Sequence, residues 1–218
     1  MFTLSTSFCK LCYAAALTVP KSPTRPRRTT YHHGSLREAL IRAAREILAE
    51  QGVSRLSLRE VARSVGVSPN AQYRHFRDKS SLLAAVAEQG FRELSAAFRA
   101  IEEQSPEARF RAMGVAYVDF ATRNPSLLRL MFSEQLGPLK AHPSLAQTAG
   151  DAFGQLLAGA AAACGRQPED PEAACAAIAA WSIVHGYSVL ANDGAFATLP
   201  IPAPPIEEIL QAGPLTPR

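Results

Sequence analysis

Residues 56–83 read LSLREVARSVGVSPNAQYRHFRDKSSLL, and the folding of this stretch decides the reading of the rest. It holds three helix starts in close succession. SLRE at 57–60 is a capping box, in which Ser57 accepts from the backbone of Glu60 and Glu60 reaches back. It opens a helix of about two turns over Leu58–Val65, with Val61 and Ala62 inward and Gly66 as the stop. Ser68 is suited to cap a second helix, with Pro69 at its first position. Asp78 caps a third, long one.

The second helix, Ser68–His75, is the unusual one. It spends Asn70, Gln72, Tyr73, Arg74 and His75 on a short segment and offers only Ala71 and Phe76 to a core. Two short helices across a tight glycine turn make a helix-turn-helix unit, whose second helix fits a DNA major groove. The residue types suit that task. Asn70 and Gln72 can pair bidentately with adenine, and the Ala71 methyl suits a thymine methyl. Ser68 and Pro69 present the positive end of the helix to phosphate. Tyr73, His75 and Lys79 are expected to grip the backbone, with Arg74 and Ser57 counted among the DNA-facing residues.

Outward from this unit the period stays helical. Leu36, Leu40, Ile41, Ala44, Ile47 and Leu48 form one apolar stripe ended by Gly52. After Asp78 the stripe is Leu82, Leu83, Val86, Phe91 and Leu94, running to about residue 103. Four more helices are expected over 106–123, 125–136, 143–165 and 170–192, punctuated by Pro138, Pro143, Pro168 and Pro171. No strand pattern is found, so the fold class is all-α. The domain expectation is a basic arm over 1–30, a helix-turn-helix domain over 31–80, a helical effector-binding and dimerisation domain over 81–195, and a proline-rich tail over 196–218 with one helical turn at 206–211.

Charge agrees with a nucleic-acid partner at one end. Residues 1–80 carry 14 Lys/Arg against 5 Asp/Glu, a balance of +9, whereas the remainder carries 9 against 14, a balance of −5. The arm residues Lys21, Arg25, Arg27 and Arg28 are read either as phosphate or minor-groove contacts or as a solubilising tail. Residues 1–20 are read as a loose tail or an over-extended gene start rather than a signal peptide, and no apolar run reaches transmembrane length. Cys9 and Cys12 stand without a second pair, so neither a metal nor a cofactor is expected. Cysteine usage suits a reducing cytoplasm. Residues 100–192 hold no nucleophile motif and no phosphate loop, so an enzyme is not expected. They do hold bulky apolar residues on neighbouring helices, and Trp181 and His185 share a helix face beside Gly186. These side chains are either core or the wall of a ligand cavity.

The span 31–91, and above all LSLREVARSVGVSxxAxYRHFxDKxxLLxxV, resembles the DNA-binding domain of the TetR/AcrR family of transcriptional regulators. The resemblance implies that Leu58–Val65 is the scaffolding helix and Ser68–His75 the recognition helix. WSIVHGYSVL, with YVDFATRNPSLLRLMF upstream, resembles the Trp-His-Gly type of C-terminal domain in that family. This implies an effector pocket among Phe110, Met113, Tyr117, Phe120, Met131, Phe132, Trp181 and His185. It also implies a homodimer paired through the helices 145–165 and 171–192. A homodimeric repressor on a palindromic double-stranded operator, released by a small apolar effector, is the expected function. An effector-independent regulator or activator of the same fold is the alternative.

Overall fold

The computed structural model describes residues 33–68 and 70–212, so the N-terminal arm, the Cys9–Cys12 pair and Pro69 lie outside the described residues. Among these residues there is no strand. The chain runs through α1 (His33–Gln51), α2 (Leu58–Val65), α3 (Lys79–Arg99), α4 (Pro106–Arg123), α5 (Pro125–Met131), α6 (Pro143–Ala163), α7 (Pro171–Asn192) and α8 (Ile206–Ala212), with short 3-10 turns between some of them. All-α is the fold class.

The helices form where period and caps agree. On α1, Leu40, Ile41, Ala44, Ile47 and Leu48 are buried, and Gly52 closes the helix in the left-handed region at φ 74°, its N–H donating to the Leu48 carbonyl at 3.1 Å. The Asp78 start of α3 is a reciprocal cap. Ser81 N–H donates to Asp78 Oδ1 at 2.7 Å, and Asp78 N–H donates to Ser81 Oγ at 3.3 Å. Each such cap is worth about 1 kcal/mol. SLRE at 57–60 forms only half of its box. Glu60 N–H donates to Ser57 Oγ at 3.1 Å, but the Glu60 carboxylate turns to pair with Arg63 instead of reaching back. A guanidinium three residues on, on the same face, is the stronger partner for an ionised carboxylate.

Helix α3 is the spine. It buries Leu82, Leu83, Val86, Phe91, Leu94 and Phe98 and packs on α1, α4, α5 and α6. Arg45 of α1 ties the first helix to the rest, through an ion pair with Glu93 on α3 and a 2.9 Å hydrogen bond to Asn124 Oδ1 at the α4–α5 junction. The expected helix over 125–136 ends at Met131. Ser133 Oγ accepts from Gln135 N–H, starting a separate 3-10 turn, Glu134–Leu136, before Pro138.

Helix α7 departs from one expectation. By length and composition it is apolar enough to cross a membrane. It packs on α4 and α6 and buries Ala173, Ala177, Ala180, Val184 and Ser188, while Ile178, Val189 and Leu190 stay exposed on another face.

Candidate nucleic-acid interface and the cavity behind it

Helix α2 is anchored by Leu58, Val61 and Ala62 and ends at Gly66 in the left-handed region, φ 73°. The Val67 N–H donates back to the Ala62 carbonyl at 3.0 Å, a closure that turns the chain sharply toward residue 68. The next segment is not the α-helix expected over Ser68–His75. Ala71 N–H bonds Ser68 O at 3.0 Å, Arg74 N–H bonds Ala71 O at 3.4 Å, and His75 N–H bonds Gln72 O at 2.9 Å. These three-residue spacings define a turn at Asn70–Ala71 and a 3-10 helix, Gln72–Arg74. A short segment with little apolar surface cannot repay α-helix nucleation, and single 3-10 turns are what such lengths support. Phe76, 3% exposed, anchors its end, with the Arg37 guanidinium 5.4 Å from the ring centroid.

The side chains divide unequally. Ser57, Ser68, Asn70 and Arg74 are exposed, and Tyr73 is 56% exposed. Ala71 and His75 are half-buried. Gln72 contradicts its expected place. It is 1% exposed, and its Oε1 has no hydrogen-bond partner among the described residues. The 3-10 geometry turns it inward while its neighbours face out, so it packs beneath the reading surface instead of forming part of it. Lys79 is already engaged, its Nζ donating to the Val53 carbonyl at 2.9 Å between α1 and α2. Arg37 is a cation beside this segment that the sequence reading passed over. Its one legible signal was a charged residue next to Leu36 in the stripe.

Behind this unit lies a cavity of about 740 Å³ between α3, α4, α5, α6, α7 and α8. Phe110, Met113, Tyr117, Met131, Phe132 and Trp181 line it. Phe120 and His185 do not, contrary to expectation. Phe120 is buried in the core. His185 stands behind the wall, its Nδ1 sharing a 2.8 Å hydrogen bond with Tyr117 Oη and its ring edge-on to Phe132 at 4.8 Å. Burial holds the His185 imidazole below its ordinary value, and burial pushes the Tyr117 phenol up to about 12. Both groups are therefore neutral near pH 7. The sequence reading missed Phe91 and Leu94, which it assigned to the core stripe of α3, and also Phe98 of α3 and Leu210 of α8. It also missed the charged pair Glu107 and Arg111 on the wall. Gly186, beside the Trp181–His185 face, has open space around it: an added Cβ there would meet nothing within 4 Å.

Residues 40–86 match the family described as bacterial regulatory proteins, tetR family, and residues 110–213 match the tetracyclin repressor-like C-terminal domain. The second match is consistent with the Trp-His-Gly resemblance. Among solved structures, a protein of unknown function from Rhodococcus sp. RHA1 is 37% identical, with a TM-score of 0.69, over 84% of this chain and 93% of the other. A transcriptional regulator of the TetR/AcrR family from Thermobifida fusca is 20% identical, with a TM-score of 0.61, over 82% of this chain and 98% of the other, a likeness of fold. BioQ, solved with its natural double-stranded DNA operator, is 25% identical, with a TM-score of 0.54, over 72% and 87%. The chain belongs to the TetR family of transcriptional regulators, whose N-terminal unit is a DNA-binding helix-turn-helix.

Proposed function

We propose that this chain is a homodimeric repressor of a palindromic operator, released by a small, largely apolar effector. One observation carries the reading: a single helix serves both ends. Helix α3 starts at Lys79, a short link (His75–Asp78) beyond the exposed Tyr73–Arg74 segment, and its distal residues Phe91, Leu94 and Phe98 line the cavity. A ligand that shifts those residues tilts a rigid rod whose other end abuts the DNA-facing turn. On this reading Asn70 and Ala71 address bases, and Ser57, Ser68, Tyr73, Arg74, His75 and Lys79 address the backbone. Residues 31–80 serve as the reading domain and 81–195 as the effector and dimer domain. BioQ, similar over most of its length, was solved on duplex DNA, which supports a DNA partner here. A DNA-bound regulator of this kind works in the bacterial cytoplasm.

The dimer reading is supported by the free faces of α6 and α7. Gly150, Gly154 and Gly186 meet no neighbour, and Ile178, Val189 and Leu190 are exposed. Packed on a two-fold mate, these faces would bury apolar surface at about 25 cal/mol per Å² and space two reading heads for two half-sites. Selection of bound duplexes from a random pool is the test. An inverted repeat is expected, and Ile178→Lys is expected to yield monomers by sedimentation with loss of operator binding. Selected sites without two-fold symmetry would sink the dimer reading.

A further inference from the structure

We infer that the cavity takes an elongated amphiphile with an anionic head, a straight-chain carboxylate, with the head held by Arg111 and the apolar body running toward Phe132 and Trp181. The inference rests on the effector reading above and adds the class of ligand. The cavity follows α4 from Glu107 to Tyr117, a run of about 15 Å at 1.5 Å per residue. Its character changes along that run. Glu107 and Arg111 stand on the wall at the start of α4, and every other lining side chain is apolar or aromatic. At the far end Phe132 packs on Trp181 with ring centroids 5.7 Å apart. A polar patch at one end of a long apolar chamber selects a ligand that is charged at one end only.

The sign of the head follows from which charge is already satisfied. Glu107 accepts from Ser105 Oγ at 2.5 Å, and that hydrogen bond is the main cause holding its carboxyl below the usual range. Arg109, between the two, is spent on the carbonyls of Ile101 and Phe98. Arg111 is half-buried and makes no hydrogen bond or close ion pair among the described residues, although its charge also attracts the Glu107 carboxylate and helps to hold that group low. A carboxylate head gives that guanidinium a bidentate partner. A neutral head leaves the guanidinium with only the longer-range attraction of Glu107, and an ammonium head meets a like charge.

Trp181 is the single tryptophan of the chain and lies on the wall, so intrinsic fluorescence reports occupancy directly. Dodecanoate, 1-dodecanol and dodecyltrimethylammonium are titrated separately below their micelle concentrations. Dodecanoate is expected to bind on the order of tenfold more tightly than dodecanol, with the ammonium weakest. Arg111→Ala is expected to bring dodecanoate down to the level of dodecanol, and Arg111→Gln, which keeps most of the side-chain bulk, to do the same. Equal affinities in the wild type, an advantage that survives both substitutions, or silence from all three probes would overturn the inference. The effector reading is judged separately on the same samples. Dodecanoate that binds with the expected preference yet leaves operator affinity unchanged upholds the ligand class and defeats release.

Discussion

Lys79 Nζ donates to the Val53 carbonyl at 2.9 Å, so the first residue of α3 is fastened to the turn between α1 and α2. That bond couples the spine of the body to the helix-turn-helix without passing through the exposed segment. An ammonium has three donors, so the same group can hold Val53 and still meet a phosphate. Lys79→Ala is therefore expected to lower stability by about 1 kcal/mol in the absence of DNA, read by chemical denaturation. If Lys79 also serves the backbone, the slope of log operator affinity against log salt falls by about 0.9 in magnitude. An unchanged slope with reduced stability makes the residue a tether alone.

Asn70 and Gln72 stand two positions apart and have different environments, one exposed and one 1% exposed. Asn70→Ala is expected to cost about 1–3 kcal/mol of operator affinity and to relax preference at one base pair, with little change in melting. Gln72→Leu replaces a buried amide whose Oε1 lacks a partner, so stability is expected to hold or rise. Operator affinity in that variant should stay within a few-fold of the wild type. Loss of binding with an intact fold would mean that Gln72 swings out on DNA.

The contrast between those two residues marks where the sequence stopped being informative. The α1 stripe, the Asp78 cap and the proline-started α4 are local signals, and their helices form where period and caps place them. Gln72 carries no such signal. In a polar segment without periodicity, its burial depends on how one 3-10 turn sits on a distant core. Phe110 and Phe120 make the same point on one helix. Both are 7% exposed, but only Phe110 reaches the cavity, because the crossing of α6 and α7 over α4 decides which stretch is left unfilled. His185 was legible as a partner of Trp181 by its i, i+4 spacing, whereas its place behind Tyr117 required the third dimension. Leu210 falls in the helical turn expected over 206–211, but nothing local to that turn says that it packs against α4 and the cavity.

Acid should weaken the protein in two separate windows. Burial lowers the His185 value below 6.5, so between the two values the unfolded chain holds a proton that the native state does not. That stability is complete above about 6.5 and is lost as pH falls below it. Asp78 is depressed below 3.8, chiefly by the Ser81 N–H, so its contribution is complete above 3.8 and disappears only below that value. Denaturation midpoints are expected to fall as pH drops below about 6.5, and His185→Gln should flatten that fall. Asp78→Asn should leave this upper window unaltered. A slope that His185→Gln does not change would place the titrating group elsewhere.

Gly114 and Leu210 make one of the closest fits around the cavity. A Cβ built on Gly114 would lie 2.7 Å from Leu210 Cδ1 and 3.3 Å from Val184 Cγ1, so α8 is seated on α4 through the absence of a side chain. Gly114→Ala gains about 1 kcal/mol of helix propensity and loses about 1–3 kcal/mol to overpacking. Leu210→Ala leaves a void at the same contact and costs about 2–5 kcal/mol. In the double variant the new methyl meets an alanine in place of a leucine, so most of the overpacking is relieved, with Val184 Cγ1 at 3.3 Å the remaining close contact, and the propensity gain remains. Gly114→Ala should thus destabilise the wild type and be neutral or stabilising in the Leu210→Ala background, a change of sign readable in one denaturation series. Strict additivity of the two substitutions would show that α8 does not rest on Gly114 in solution.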